Sequence, residues 1–202
     1  THVYNSLSQF VNFWGGDYFD WTDPKTKDAA RYMKSMLDEK NTSPAQFVDQ
    51  YEQMEEKFIR GKYGCVFMYT SALGTFLDAD VYGKNKIHMA PLTVLHKKKA
   101  TNIATWQYVL NNASENKDAA VRFLQYAAGY EGSTEYAKIM KSYPARVDVI
   151  ENEDIDLEGI DMIRKYLREY TLNARPLCEN SMGAVSDMGK LFQGYVLGQC
   201  EE

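Results

Sequence analysis

Apolar residues recur at helical spacing near the start of the chain, where Val3, Leu7, Phe10, Val11 and Trp14 form one stripe. Gly15-Gly16 stops this helix, because glycine accepts the positive φ of a helix C-terminus. Asp23-Pro24 opens a second helix as an N-cap followed by proline at the first helical position, and Ala29, Tyr32, Met33, Met36 and Leu37 line one face of it to about Glu39. A third helix is predicted from about Gln50 to Arg60. The apolar run "GCVFMY" (64–69) then reads as a buried strand, which turns at Tyr69-Thr70-Ser71 into a helix reaching about Asp80. "KIHMAPL" (86–92) and "ATWQYVLNN" (104–112) are predicted strands, with "HKKKA" (96–100) a solvated charged turn between them. Helices follow over about 116–126 and 131–141. "SYPARVDV" (142–149) is expected to be extended, since Pro144 keeps Tyr143 out of the helical region. Then come a helix over 157–170, an irregular link "LNARPLCENSMG" (172–183) and a closing helix over 184–197 ended by Gly198. Helices alternating with short buried strands predict an α/β fold, with ligands at the carboxyl ends of the strands.

Composition narrows the function classes. A chain of 202 residues, 45% apolar and 25% charged, is long enough to bury a substantial core. Its net charge of −5 is spread along the sequence, so no nucleic-acid partner is expected. No run approaches the roughly 18 apolar residues of a membrane span. The opening "THVYNSLSQF" has no basic or apolar leader, so any export signal is expected upstream, as in a fragment or a processed product. Tyrosine is abundant (15, beside 9 Phe and 3 Trp), a residue that suits both cores and polyhydroxylated ligands.

Catalytic signatures are missing from the sequence: it contains no GxSxG, HExxH, P-loop, GxGxxG or EF-hand pattern. His2, His88 and His96 have no metal-ligand spacing, and neither metal nor cofactor is expected. Glu52, Glu55 and Glu56 cluster near the start of one short helix, where the helix dipole favours acidic residues, so no glycosidase pair is required. Cys65 is expected in the core. Cys178 and Cys200 are left as a possible pair.

The succession "EEKFIRGKYGCVFMYTSAL", "KIHMAPL" and "ATWQYVLNNASENKDAAVRFLQYAAGYEGSTEYAKIMKSYPAR" resembles the family 1 extracellular solute-binding proteins of ABC importers, especially those serving carbohydrates. "WGGDYFD" with the helix after it, and "NARPLCENS" with "VSDMGKLFQGYVLG", extend the likeness over nearly the whole chain. The resemblance implies a type II periplasmic-binding-protein fold: a short mixed sheet flanked by helices, here mostly the C-terminal lobe with an added piece of the N-terminal lobe. Residues 1–106 would begin the C-terminal lobe, 107–147 would cross into the N-terminal lobe, and 148–202 would return. It also implies a non-enzymatic protein that traps a carbohydrate between its lobes and delivers it to membrane permease subunits. Its location would be outside the cytoplasm, as a cell-surface lipoprotein or in the periplasm. A binding protein of the same fold for a peptide or polyamine, or a glycan-acting enzyme, is the alternative. Loss of a partner lobe would favour self-association.

Sugar sites combine aromatic faces with planar polar groups. Tyr69 and Ser71 stand at the strand-to-helix elbow, where capping of the helix by Thr70 or Ser71 is the competing role. Trp106 and Gln107 lie on the strand that becomes a crossing segment in the family. Trp14, Asp20, Tyr4 and Arg175 complete the candidate ligand contacts, with packing or loop capping as the competing role for Trp14 and Asp20. Arg146, in "YPAR", is expected to be structural.

Overall fold

A computed structural model describes residues 2–79, 87–92, 94–174 and 179–201, without the side chains of His2 and Tyr4. In chain order its elements are α1 (His2–Trp14), α2 (Pro24–Asp38), α3 (Ala45–Val48), α4 (Tyr51–Ile59), a 3-10 turn (Thr70–Ala72), α5 (Leu73–Asp78), β1 (Ala100–Asn102), α6 (Lys117–Ala127), α7 (Tyr130–Met140), α8 (Val147–Ile150), α9 (Ile160–Glu169), β2 (Thr171–Asn173) and α10 (Ser181–Val196). They fall into two compact units. One comprises residues 1–67, 92–104 and 169–202, and the other residues 68–91 and 105–168.

The first unit is built around α1, which packs against α2 and α10. Leu7, Phe10 and Val11 meet Ala29, Ala30 and Met33 of α2 and Val185, Phe192 and Val196 of α10, all buried. The helical stripe predicted from sequence is thus the stripe that makes the core. Asp23 caps α2, accepting a bond from the Lys25 amide at 2.9 Å, with Pro24 at the start of the helix. Gly15 has φ +74, and a Cβ on Gly16 would stand 2.6 Å from Thr26 Oγ1, so the turn between α1 and α2 requires both glycines. Thr26, fully buried, donates its hydroxyl to the Asp17 carbonyl at 2.8 Å and fixes that turn.

The sheet of this unit, among the described residues, is a parallel pair in the register Ala100↔Thr171, Thr101↔Leu172 and Asn102↔Asn173. The other edge of β1 is occupied by a side chain. Gln9, buried on α1, donates Nε2 to the Ala100 carbonyl at 2.9 Å and accepts the Asn102 amide at 3.0 Å. Its carboxamide therefore pairs with the strand as a peptide group would. Asn102 carries the contact further, donating to Ser8 Oγ at 2.9 Å and accepting from Asn12 Nδ2 at 2.7 Å.

The second unit has its own core of Ala137, Val149, Ile150, Ile155, Leu157 and Ile160. Arg164 of α9, whose side chain is 15% exposed, donates to the carbonyls of Ile150 and Asn152, each at 2.8 Å, and to the Asp161 carboxylate at 2.8 Å. Three charge-assisted bonds compensate a guanidinium withdrawn from water. Arg146 is structural, as expected: it forks onto Asp148 at 3.0 and 2.6 Å and donates to the Ala128 carbonyl at 3.2 Å. Those bonds hold the Asp148 carboxyl below its usual range.

Several local expectations differ from the structure. Residues 64–69 and 87–92 form no strand, and residues 104–110 are irregular beyond β1. Cys65 is exposed rather than buried, because without a strand partner its segment has no second layer over it. Conversely, Thr171–Asn173 pairs with β1 although it sits in the expected irregular link, and α8 interrupts the stretch expected to be extended. Cys178 lies outside the described residues, so the possible pair with Cys200 is not addressed.

Two outcomes follow from these contacts. Gln9→Met keeps the side-chain length but leaves the Ala100 carbonyl and Asn102 amide unpaired, so urea unfolding should show a loss of about 1–3 kcal/mol. Tyr143, half-buried, donates its hydroxyl to the Glu158 carbonyl and lies 3.4 Å from Met89 Sδ. Burial pushes its phenol well above the ordinary tyrosine value, with the Glu158 carboxylate and then Tyr166 adding to the effect. The folded chain therefore holds this proton more tightly than the unfolded one. Its contribution is complete below about pH 10 and is lost as pH rises toward the folded value. Tyr143→Phe, which cannot ionise, should lose stability less steeply than the parent above about pH 10 in unfolding curves taken at increasing pH.

Candidate functional site

Tyr69, Ser71, Trp106 and Gln107 all belong to the second unit. At the elbow, Tyr69 is extended (φ −68, ψ 145) and its carbonyl accepts the Ala72 amide at 3.0 Å. Neither the Thr70 nor the Ser71 hydroxyl caps the turn or α5, contrary to the expectation of a cap. Burial of Ala72, Leu73 and Phe76 fixes the direction of the helix instead. The elbow therefore leaves Ser71 exposed and presents the Tyr69 ring at 37% exposure. Farther along, Trp106 is 93% exposed and Gln107 is exposed beside it. Neither makes a hydrogen bond or ring contact among the described residues. An indole with open faces beside a carboxamide supplies both kinds of contact that a polyhydroxylated ring needs.

Trp14 and Asp20 belong to the first unit and have local partners. The Trp14 indole is stacked on His96 with centroids 4.6 Å apart and planes 2° from parallel, and it leans on Tyr32 at 5.1 Å. Asp20 accepts from the Thr22 hydroxyl at 2.6 Å and amide at 2.9 Å, an arrangement that closes the loop before α2. The hydroxyl bond and then the amide bond hold its carboxyl below the usual range. The Tyr4 side chain and Arg175 lie outside the described residues.

Two concavities lie elsewhere. A groove of about 210 Å³ in the first unit runs between Val3 of α1, Phe47 and Val48 of α3, and Ser186, Gly189 and Gln193 of α10. Gln193 donates to the Phe47 carbonyl at 2.5 Å across it. At its rim the Asp49 carboxylate accepts from Lys57 Nζ at 2.6 and 2.7 Å and from the Tyr63 hydroxyl at 3.0 Å. The Asp49 bond raises the Lys57 ammonium, and burial followed by the Asp49 bond raises the Tyr63 phenol. Sequence reasoning missed this cluster, because Asp49 and Tyr63 are 14 residues apart and follow no local period. In the second unit an open concavity of about 570 Å³ is lined by residues of one segment, Asp156 to Met162. None of the sequence-predicted site residues lines either concavity. Among the described residues no group of three or more His, Cys, Asp or Glu side chains is arranged to hold a metal ion.

A helix-rich α/β chain with a small parallel sheet and exposed aromatic and amide side chains has the character of a ligand-binding protein. Residues 4–134 match the family described as bacterial extracellular solute-binding protein, and the chain belongs to that family. No curated protein matches the sequence. Among solved structures, the maltose-bound MalE3 of T. maritima aligns with a TM-score of 0.78 at 18% identity, covering 97% of this chain and 53% of that one. The chain thus spans about half the length of that protein, and it has the periplasmic-binding-protein-like fold. The family is one of extracellular solute-binding proteins.

Proposed function

We propose that this chain is the carbohydrate-binding component of an ABC importer, holding an oligosaccharide between two lobes and passing it to the membrane permease subunits without covalent chemistry. The observation that carries this reading is Trp106: a 93% exposed indole beside Gln107, in a chain of the solute-binding family. An aromatic face open to water is costly for a fold and useful for the apolar side of a sugar ring. The maltose in the MalE3 structure supports a sugar as the ligand. On this reading Tyr69, Ser71, Trp106 and Gln107 form one wall of the site, and Trp14, Asp20, Tyr4 and Arg175 contribute further contacts. Residues 1–106 and 148–202 would make the C-terminal lobe, with 107–147 reaching into the N-terminal lobe. Capture would proceed by lobe closure, and the closed form would dock on the permease. The protein would reside at the cell surface as a lipoprotein, or in the periplasm, and would need no cofactor.

Isothermal titration against maltose, maltotriose, free amino acids and polyamines tests the reading. Heat is expected with the maltooligosaccharides, and Trp106→Ala should weaken that binding by about tenfold or more, the loss of one stacked aromatic. Because Trp106 is so exposed, the substitution should leave the unfolding curve unchanged. Binding of cationic ligands alone, or recovery of shortened glycan after incubation, would overturn the assignment.

A further inference from the structure

In the first unit, carboxamides gather at one edge of the sheet. β1 and β2 run parallel, so Asn102 and Asn173, paired in register, stand together at the carboxyl ends of both strands and on the same face. α1 runs the opposite way: the Phe13 carbonyl accepts the Lys98 amide at 3.1 Å before β1 begins, and the Asn5 carbonyl accepts from Asn102 Nδ2 at 3.2 Å where it ends. The start of α1 therefore lies at this same edge. Asn102 itself is fully engaged, donating also to Ser8 Oγ at 2.9 Å and accepting from Asn12 Nδ2 at 2.7 Å. Its two neighbours are not. The side chains of Asn5 and Asn173 are half-buried, and neither makes a hydrogen bond among the described residues.

We propose that Asn5 and Asn173 contact the ligand from the first unit, each taking a sugar hydroxyl, and that Asn102 is a positioning residue that holds them at a fixed spacing. The inference rests on the carbohydrate reading above and sharpens it, by adding specificity residues and a ligand that is neutral where it meets this edge. In open α/β sheets ligands are received outside the carboxyl ends of the strands, which is where this group stands. A carboxamide both donates and accepts, as a hydroxyl does, and carries no charge. An ammonium or a carboxylate set against Asn5, Asn102 and Asn173 would lose water without gaining a counter-charge from them, so the trio suits a polyhydroxylated ligand over a polyamine. Asn102 links the other two directly, since its backbone is in register with Asn173 and its side chain bonds the Asn5 carbonyl.

Isothermal titration of the whole chain with maltotriose is the test. Asn5→Ala and Asn173→Ala should each raise the dissociation constant about three- to tenfold, the loss of one neutral hydrogen bond. Neither should lower the midpoint of urea unfolding, because neither side chain has a partner to lose among the described residues. A set of monodeoxy maltoses adds a readout that a merely structural role would not move. For one missing hydroxyl the parent should lose what Asn173→Ala loses, and that variant should be indifferent to the same deletion. Asn5→Ala should behave likewise toward a different hydroxyl, and Asn102→Ala should blunt the response to both. Parental affinity in Asn5→Ala and Asn173→Ala, while Trp106→Ala still weakens binding, would overturn this inference and leave the carbohydrate reading standing. Losses that simply add to every deoxygenation would do the same. Absence of heat with every maltooligosaccharide would overturn both.

Discussion

The first unit depends on one carboxamide. Among the described residues the sheet has two strands, too few to satisfy its own edges, and β1 is three residues long. Gln9 removes the difficulty by offering a donor to Ala100 and an acceptor to Asn102 from a buried position on α1. The helix thereby becomes the neighbour that the strand lacks, and the same helix carries Leu7, Phe10 and Val11 into the core. Polar pairing and apolar burial are fixed by one rigid element. Geometry good for one is good for the other, and neither can shift alone.

This arrangement explains which parts of the fold were legible in the sequence. The helices were, because a helix is specified by its own spacing, its cap and its terminating glycine, as Asp23, Pro24 and Gly15 illustrate. Strands are specified by partners far away in sequence. Ala100 pairs with Thr171, and no three-residue window around Thr-Leu-Asn announces that pairing. The run Gly64–Tyr69 shows the opposite failure. Apolar content read as strand, but it records only that some of these side chains seek contact, as Phe67 does against Phe10 at 6.0 Å. Gln9 was also illegible: a glutamine between Ser8 and Phe10 reads as a break in the apolar stripe, whereas it is the stripe's polar anchor.

The candidate ligand residues divide by how their neighbours use them. Trp14 and Asp20 are engaged locally, by His96 and by Thr22 respectively. Ser71, Trp106 and Gln107 are exposed, and the expected capping duty of the elbow has passed to buried apolar side chains. Sequence chemistry identified the residue types suited to a sugar. It did not separate those already occupied from those still available, because occupancy is a property of three-dimensional neighbours.

Around α8 and α9 the polar contacts are short in reach. Arg164 holds carbonyls 12 and 14 residues away, and Tyr143 reaches one 15 residues away. In the first unit Gln9 waits for a strand 91 residues on, and Gln193 bonds a carbonyl 146 residues back. Loop closure over such spans is slow, so on a growing chain the segment around α8 and α9 can consolidate while α1 and α2 still lack α10. Until α10 has been made the apolar faces of α1 and α2 lack their third helix, an interval in which this core can still be handled as an unfolded polypeptide.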